Sequence, residues 1–316
     1  MKILVTGASG FIGGYVVREA IARRHDVIAL TRSRPASETD QTSSFEWLQC
    51  DLGDMKASKL ERLGIDAVIH LAASLSGSAD EQYRSTVIAT RHLLDAMKQA
   101  GISRLVGISS IAVLDYAHIP AMAVIDENVK ISDGSGIGTY TKMKLEQEKL
   151  FAAFADEHGT RCAVLRPGLV YDSEQLINAR AGVIKGPLCL VAYHGGNVPT
   201  VEVAGLARAI LNACERDVPD GEIIQLVDDN LPSQREYLAG LRRRGTLPSW
   251  RIPVPWRLLA AMAGSLRVLF RLAGGEEGRL PEAFLRQGFA ARFKPFRYSN
   301  EKAKRLLGWV PASRFS

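Results

Sequence analysis

Short apolar runs alternate with helix-length stretches over the first 170 residues of the chain. The runs are rich in Ile, Val and Leu, which is typical of parallel strands covered on both faces. Strands are predicted at residues 2–6, 26–31, 45–50, 66–71, 104–109 and 161–166. Helices are predicted between them at residues 11–23, 55–63, 80–100 and 140–158. This alternation predicts an α/β fold with a doubly wound parallel sheet.

The alternation loosens after residue 170. Helices are still predicted at residues 203–215 and 235–244, and a segment rich in Pro and Trp follows at residues 247–256. An apolar helix that also carries arginines comes next, and a closing helix at residues 300–307 ends at Gly308. We interpret residues 171–316 as mainly a smaller C-terminal substrate lobe that rests on the sheet.

A glycine-rich turn follows the first predicted strand. Gly7, Gly10 and Gly13 are spaced by three residues, and a helix is predicted to begin near Phe11. Such glycines allow a tight turn and close packing of helix on strand, and the helix N-terminus offers free N–H groups to a pyrophosphate. Residues 1–170 are therefore predicted to be a dinucleotide-binding domain, with later segments returning to it. The predicted contacts of the turn are Gly7, Ser9, Gly10, Phe11, Ile12 and Gly13.

The ends of the next strands indicate which dinucleotide is bound. NAD sites usually end the second strand with an acid that binds the ribose 2′-hydroxyl. Here Arg32 follows Thr31, and a guanidinium suits a 2′-phosphate, so NADP(H) is favoured and NAD(H) remains open. The polar residues 33–44 predict a loop at the adenosine end. Further predicted cofactor contacts are Asp51 and Leu52 near the adenine, and Leu71, Ala72 and Ala73 after the fourth strand.

Three side chains form the candidate catalytic group. Tyr140 and Lys144 are four residues apart in a predicted helix, so they share one face. We expect the ammonium of Lys144 to favour the phenolate of Tyr140 and to hold the nicotinamide ribose. Ser110 is expected to hydrogen-bond the substrate oxygen, with Ser109 as the fallback. This constellation predicts proton transfer coupled to hydride transfer at a carbinol or carbonyl carbon.

Composition and charge limit the classes of partner. The chain has 316 residues, of which 47% are apolar, and its four cysteines show no metal-binding spacing, so we expect no metal and a reducing, cytoplasmic location. The sequence has no run of 18 apolar residues, so no membrane span is predicted. The net charge of residues 241–316 is +12, against +6 for the whole chain. This basic portion leaves a peripheral membrane contact open, whereas no nucleic-acid recognition motif accompanies it.

These motifs resemble those of the extended short-chain dehydrogenase/reductase superfamily, in its epimerase/dehydratase-like branch. The resemblance covers nearly the whole chain and includes the turn from Thr6 to Gly13, residues 70–73, residues 166–171 and the C-terminal residues 300–311. It implies a Rossmann fold, the catalytic role of Ser110, and a position for Pro167 close to the nicotinamide. It also implies a homodimer through the helices at residues 80–100 and 140–158.

The chain departs from the family pattern at two places. Dehydratases of the family carry an Asp-Glu pair after the catalytic hydroxyl, where this chain has Ile111 and Ala112, so a 4,6-dehydratase is not expected. Many nucleotide-sugar epimerases have an Arg-Asp-Phe element, where this chain reads Val-Pro-Thr-Val-Glu-Val at residues 198–203. The arginine that helps to hold a diphosphate is therefore missing.

Four functions are compatible with these features. The first is an NADPH-dependent ketoreductase that acts on a keto-sugar, and we expect this sugar to be linked to a nucleotide. The second is a nucleotide-sugar epimerase with a retained NAD, and the third is a dehydrogenase of a hydrophobic alcohol or ketone of sterol or isoprenoid type. The fourth, a redox-sensing binding module, is disfavoured because both Tyr140 and Lys144 are present. Each enzyme would act on a small molecule, and Arg166, His194 and Glu127 are candidate substrate contacts.

Overall fold

The computed structural model of the chain describes residues 1–33, 44–158, 160–275, 280–312 and 315. Most of the predicted polar loop, residues 34–43, lies outside the described residues. The central sheet has seven parallel strands in the order β12-β7-β5-β4-β1-β2-β3. Its strands are β1 Lys2–Thr6, β2 Asp26–Thr31, β3 Phe45–Gln49, β4 Ala67–His70, β5 Arg104–Ile108, β7 Arg161–Pro167 and β12 Glu222–Leu226.

Helices cover both faces of the sheet, which confirms the doubly wound α/β fold. The helices are α1 Phe11–Ala22, α2 Ala57–Leu63, α3 Ala79–Gln82, α4 Ala89–Gln99, α5 Thr139–His158, α6 Val203–Glu215, α7 Gln234–Arg243, α8 Trp256–Leu272, α9 Arg286–Phe293 and α10 Glu301–Leu307. Side chains of α1 and α6 pack into the core on one face, and side chains of α4 and α5 pack on the other. Both faces of the inner strands are therefore buried, which is why their sequences are mostly apolar runs. The edge strand β3 instead alternates buried Phe45 and Trp47 with exposed Glu46.

The predicted elements of the first half agree with the structure to within two residues at most ends. The predicted helix at residues 80–100 also has nearly these ends, but it is not a continuous α-helix. It begins at a capping box in which Ser78 and Glu81 satisfy each other's backbone N–H groups, and it then contains a π-helical segment, Tyr83–Ile88, between α3 and α4. The closing helix α10 ends at Gly308 with φ +56°, as the sequence predicts for a left-handed cap.

Shorter strands build the remainder of the fold. They are β6 Val124–Ile125, β8 Leu169–Tyr171, β9 Gly182–Lys185, β10 Leu188–Tyr193, β11 Thr200–Glu202, β13 Trp250–Pro255 and β14 Arg297–Tyr298. Strands β13, β10 and β9 form a small sheet on which α8 packs, while β8 pairs with β11 and β6 with β14. The later part of the chain also returns to the central sheet through β12 and α6. Among the described residues, no helix is both long and apolar enough to cross a bilayer.

Candidate active site

The predicted cofactor and catalytic residues lie at one edge of the central sheet. The glycine turn follows β1, Arg32 follows β2, Leu71 follows β4, Ser110 follows β5, and Pro167 ends β7. Because these strands are parallel, all of these positions belong to the carboxyl edge of the sheet, where doubly wound folds bind ligands. The topology therefore gathers residues that are up to 160 positions apart in the sequence.

The glycine turn leaves no room for side chains. Gly7 has φ +68°, and a Cβ atom there would lie 3.0 Å from the backbone nitrogen of Ala72. A Cβ atom on Gly13 would lie 2.2 Å from the carbonyl oxygen of Gly7, so α1 can approach β1 only with glycine at this position. Gly10 precedes the first helical residue and provides no side-chain cap, which leaves the N–H groups of α1 for an anion. The turn therefore fits a dinucleotide pyrophosphate.

Two predicted contacts at the adenosine end, Arg32 and Asp51, are exposed in the described part of the chain. Arg32 is exposed directly after β2, and the hydroxyl of Ser9 lies 3.1 Å from that of Thr31. Asp51 is also exposed, and its Oδ1 accepts a hydrogen bond from the N–H of Gly53 at 2.8 Å, while Leu52 is buried beside it. Arg32 and Asp51 therefore have the accessibility that their predicted contacts require.

The segment after β4 passes directly over the glycine turn. Leu71, Ala72 and Ala73 are partly exposed, and the N–H of Ala72 donates to Thr6 Oγ1 at 3.3 Å. The buried hydroxyl of Thr86 accepts from the N–H of Ser74 at 3.0 Å and so fixes the end of this segment. The Thr86 hydroxyl therefore holds the backbone at the cofactor edge.

The structure brings Ser110 and Tyr140 together. Ser110 precedes a 3-10 turn, Ile111–Val113, and its Oγ accepts from the N–H of Ala112 at 3.2 Å. A hydrogen bond from Ser110 acts to lower the pKa of Tyr140, but burial of the phenol outweighs it and raises the pKa above its usual value. Tyr140 is therefore held as a neutral phenol next to a hydroxyl donor. Ser109 is buried, and its hydroxyl has no hydrogen-bond partner among the described residues.

Lys144 is buried, and its hydrogen-bond partners are Ile108 and Gln147. Its ammonium donates to the carbonyl oxygen of Ile108 at 2.6 Å and to Gln147 Oε1 at 2.8 Å. Burial lowers the pKa of Lys144 to about 7, although the Glu148 carboxylate acts in the opposite direction. Burial and the Ser110 hydrogen bond set the pKa of Tyr140 here, and the effect of Lys144 on the phenolate stays a prediction.

A buried network of hydrogen bonds holds Gln147, the side-chain partner of Lys144, in place. The hydroxyl of Thr90 donates to the carbonyl oxygen of Thr86 at 2.6 Å and accepts from Gln147 Nε2 at 2.9 Å. His70 Nε2 lies 2.8 Å from Thr90 Oγ1, and His70 Nδ1 lies 2.7 Å from Thr6 Oγ1. Burial lowers the pKa of His70 to about 3, so the ring is neutral and these bonds assign its proton to Nε2. As predicted, His70 is a packed strand residue.

The three predicted substrate contacts are occupied by other partners. Arg166 is 2% exposed and forms a bidentate ion pair with Glu148, at 2.8 and 2.6 Å, so it does not reach the cleft. Glu127 Oε1 accepts from the backbone N–H of Gln225 at 2.8 Å, at the edge of the sheet. His194 Nδ1 accepts from the N–H of Gly196, and burial together with nearby Arg180 lowers its pKa to about 4.

Sequence reasoning missed Arg180. This arginine is buried, and its Nη1 donates to Tyr298 Oη at 3.0 Å, while its guanidinium lies 6.0 Å from the ring centroid of Tyr116. Tyr116 in turn donates to the carbonyl oxygen of Ile111, which adjoins Ser110. No carboxylate of the described residues lies within ion-pair distance of Arg180. A buried guanidinium beside the catalytic loop is therefore a candidate anion-binding group.

The family of the chain follows from this geometry and from a direct comparison. The family model described as the NAD dependent epimerase/dehydratase family matches residues 3–186, which contain the glycine turn, Ser110, Tyr140 and Lys144. The chain belongs to this family. The resemblance inferred from the motifs is thereby confirmed, as is the prediction of an enzyme of the extended short-chain dehydrogenase type.

Individual members of the family are similar over nearly the full length. The chain is 28% identical to the 2-alkyl-3-oxoalkanoate reductase of Stenotrophomonas maltophilia, covering 98% of this chain and 95% of that protein. It is also 28% identical to a 4-hydroxy-2-methyl-3-oxo-4-farnesyl-3,4-dihydroquinoline-1-oxide ketoreductase of Stigmatella aurantiaca, over 98% and 92% of the two chains. The solved UDP-glucose 4-epimerase of Thermus thermophilus with NAD is 20% identical, with a TM-score of 0.68 over 100% and 95% of the chains. That likeness shows the fold alone.

Proposed function

We propose that this family member is a ketoreductase that uses NAD(P)H to reduce the carbonyl group of a hydrophobic substrate. The observation that carries the proposal is the environment of Tyr140. The phenol lies beside the Ser110 hydroxyl, and burial raises its pKa above the ordinary value. These two hydroxyl groups can hydrogen-bond and protonate one carbonyl oxygen, and the reductase names of two relatives support reduction as the direction.

The chain's own residues account for binding and proton transfer. Gly7, Gly10 and Gly13 would hold the pyrophosphate, and a bound nicotinamide dinucleotide would supply the hydride. Ser110 would hydrogen-bond the carbonyl oxygen as negative charge develops on it, and Tyr140 would donate its phenolic proton to that oxygen. Lys144, held by Ile108 and Gln147, would bind the ribose.

The region that commonly binds a diphosphate supports a hydrophobic substrate. Where nucleotide-sugar epimerases have the Arg-Asp-Phe element, Val198, Val201 and Val203 are fully buried in this chain. These side chains belong to the core and offer no charge to a diphosphate. Three relatives matched over nearly the full length are named for a 3-oxoalkanoate, a farnesyl-bearing ketone and a sterol carboxylate. Both observations favour a hydrophobic ketone over the keto-sugar that the sequence alone placed first.

Arg180 refines the proposed substrate to a hydrophobic 3-oxo acid. Its guanidinium is buried near the loop that carries Ser110, and Tyr298 is a partner that bears no charge at neutral pH, because burial raises its pKa. A carboxylate two carbons from the reacting carbonyl would pair with this cation. The name of the S. maltophilia relative is consistent with such a substrate.

A substrate panel tests this proposal. We expect long-chain 3-oxo acids to be reduced with a higher kcat/KM than their methyl esters or than a UDP-linked keto-sugar. Arg180→Met should lower kcat/KM for the acid by about tenfold or more and leave the ester within about twofold, since a charge-assisted hydrogen bond contributes about 1.5–3 kcal/mol. Equal losses for acid and ester would indicate a structural role for Arg180. Turnover of the keto-sugar alone, or epimerisation with retained NAD, would contradict the hydrophobic assignment.

Arg32 is proposed to select NADP(H). We expect Arg32→Gln to raise the KM for NADPH by about 10-fold or more, because an exposed guanidinium that pairs with a 2′-phosphate is lost. The KM for NADH should stay within about twofold, as NADH has no phosphate there. Arg24→Gln, at the far end of β2, is the matched control in initial-rate assays. Equal changes for both dinucleotides would show that Arg32 does not read the 2′ position.

A further inference from the structure

Exposed apolar side chains are concentrated on β13 and α8. Among the described residues, eight of the exposed large apolar side chains fall within this one stretch of 23 residues. Three of them are more than 60% exposed: Trp250 at 71%, Leu269 at 64% and Leu272 at 79%. The eight, which we call the apolar patch, are Trp250, Ile252, Leu258, Met262, Leu266, Val268, Leu269 and Leu272. A concentration of this kind marks an interaction site.

Helix α8 is amphipathic, with its main apolar stripe facing away from the protein. Of its 17 residues only Leu259 and Ala263 are buried, one turn apart on the side that packs on the lobe. Leu258, Met262 and Leu269 recur at intervals of three or four and their multiples, so they share another face, which is exposed. The helix therefore presents more apolar surface to the outside than it buries.

Basic residues outnumber acidic ones around the apolar patch. Residues 237–282 contain eight arginines, against three glutamates at positions 276, 277 and 282. Arg251 and Arg257 are exposed on β13 and at the start of α8. Leucine and tryptophan on one face with arginines on the polar flank is the composition of a helix that lies in the interface of a bilayer.

We propose that α8 and β13 dock this protein on an anionic lipid bilayer, with the apolar patch in the headgroup–acyl boundary and the arginines on lipid phosphates. The charge pattern favours this partner over a second copy of the chain. A two-fold contact through the same patch would bring together two surfaces with the same excess of positive charge. Anionic headgroups would instead compensate Arg251 and Arg257.

The apolar patch is connected to the catalytic helix by direct hydrogen bonds. Arg267 of α8 donates to the carbonyl oxygen of Phe284 at 2.8 Å, in the 3-10 turn that also contains Glu282. Glu282 Oε1 accepts from the N–H of Gly138 at 3.1 Å, two residues before Tyr140. Helix α8 is therefore linked to the residues that precede Tyr140. A role of docking in substrate access rests on the proposed hydrophobic substrate, whereas docking itself rests only on the surface.

Flotation with phospholipid vesicles tests docking without any substrate. We expect the full chain to float with vesicles of phosphatidylcholine and phosphatidylglycerol at low salt, and to be released at high salt or from vesicles of phosphatidylcholine alone. Leu258→Gln/Leu269→Gln should weaken partitioning by about tenfold or more, because two apolar side chains no longer enter the bilayer. Arg251→Gln/Arg257→Gln should weaken it by about fivefold per arginine on anionic vesicles only.

Val310→Gln provides a matched control, because Val310 is 76% exposed and lies outside α8 and β13. This variant should float as the unchanged chain does, and circular dichroism should show that all variants are folded. Equal flotation of the leucine variant, or equal binding to neutral and anionic vesicles, would overturn the proposal. A second contradictory result would be a dimer, detected by light scattering, that the leucine substitutions dissociate, together with no binding of the unchanged chain to vesicles. Failure of the ketone assay together with intact flotation would overturn the proposed function alone.

Discussion

Replacing Tyr140 by phenylalanine is expected to lower kcat for ketone reduction by about 10²–10⁴-fold, the usual contribution of a positioned general acid. The substitution removes one oxygen atom from a ring that is already packed in the site. Proton donation to the carbonyl oxygen is therefore lost while the space that the substrate fills is kept. The KM values for dinucleotide and substrate should stay within about threefold in steady-state assays.

A second tyrosine separates this effect from general perturbation. Tyr83→Phe alters an exposed hydroxyl on the π-helical segment, and it should keep the kcat of the unchanged chain. The raised pKa of Tyr140 adds a pH dependence. Reduction needs the protonated phenol, so its kcat should stay level from pH 6 to about 10, whereas the reverse oxidation should rise with pH. A Tyr140→Phe variant that keeps most of its turnover would contradict the assigned role.

Replacing Arg166 by methionine is expected to lower the free energy of unfolding by about 3–5 kcal/mol. The substitution would leave Glu148, which is 8% exposed, as a buried carboxylate without its cation. Ionising an unpaired carboxylate in that position is costly, and so is the reorganisation that would expose it. Urea titration followed by circular dichroism measures the loss as a lower midpoint.

The same strand supplies the control for this prediction. Arg161 also lies on β7, but its ion pair with Asp217 is exposed, with both side chains more than 50% accessible. Arg161→Met should therefore cost only about 0–1 kcal/mol. The double variant Arg166→Met/Glu148→Leu should regain much of the loss, since an apolar pair replaces the buried ions. Equal midpoints for the Arg166 and Arg161 variants would contradict the buried ion pair.

Local sequence was sufficient for the elements that build the sheet. Strand β2 was predicted with its observed bounds, because a strand covered on both faces must be apolar throughout. The glycine turn could also be predicted from the sequence, because any side chain at Gly13 would collide with the backbone of Gly7. The predicted positions of Ser110 and Tyr140 could be placed at one edge because parallel strands all end there.

What the sequence did not reveal depends on contacts between distant residues. Arg180 is linked to Tyr298, which is 118 positions away, and nothing near it in the sequence marks it as buried. Gln147 reaches Thr90 across 57 positions, so the network that holds Lys144 was not visible in the sequence. The same holds for Arg166, whose partner Glu148 is set by the packing of α5 on β7. The raised pKa of Tyr140 is likewise a property of burial, which only the fold determines.

Transfer of deuterium from the dinucleotide to the product tests the central claim most directly. The protein would be incubated with nicotinamide dinucleotide phosphate carrying deuterium at C4 of the reduced ring and with a long-chain 3-oxo acid, and the products would be examined by mass spectrometry. A hydrophobic 3-hydroxy acid with one deuterium on the carbinol carbon, formed in a 1:1 ratio to the oxidised dinucleotide, is the predicted result. Deuterium that stays on a protein-bound dinucleotide while a sugar substrate is epimerised would contradict the account.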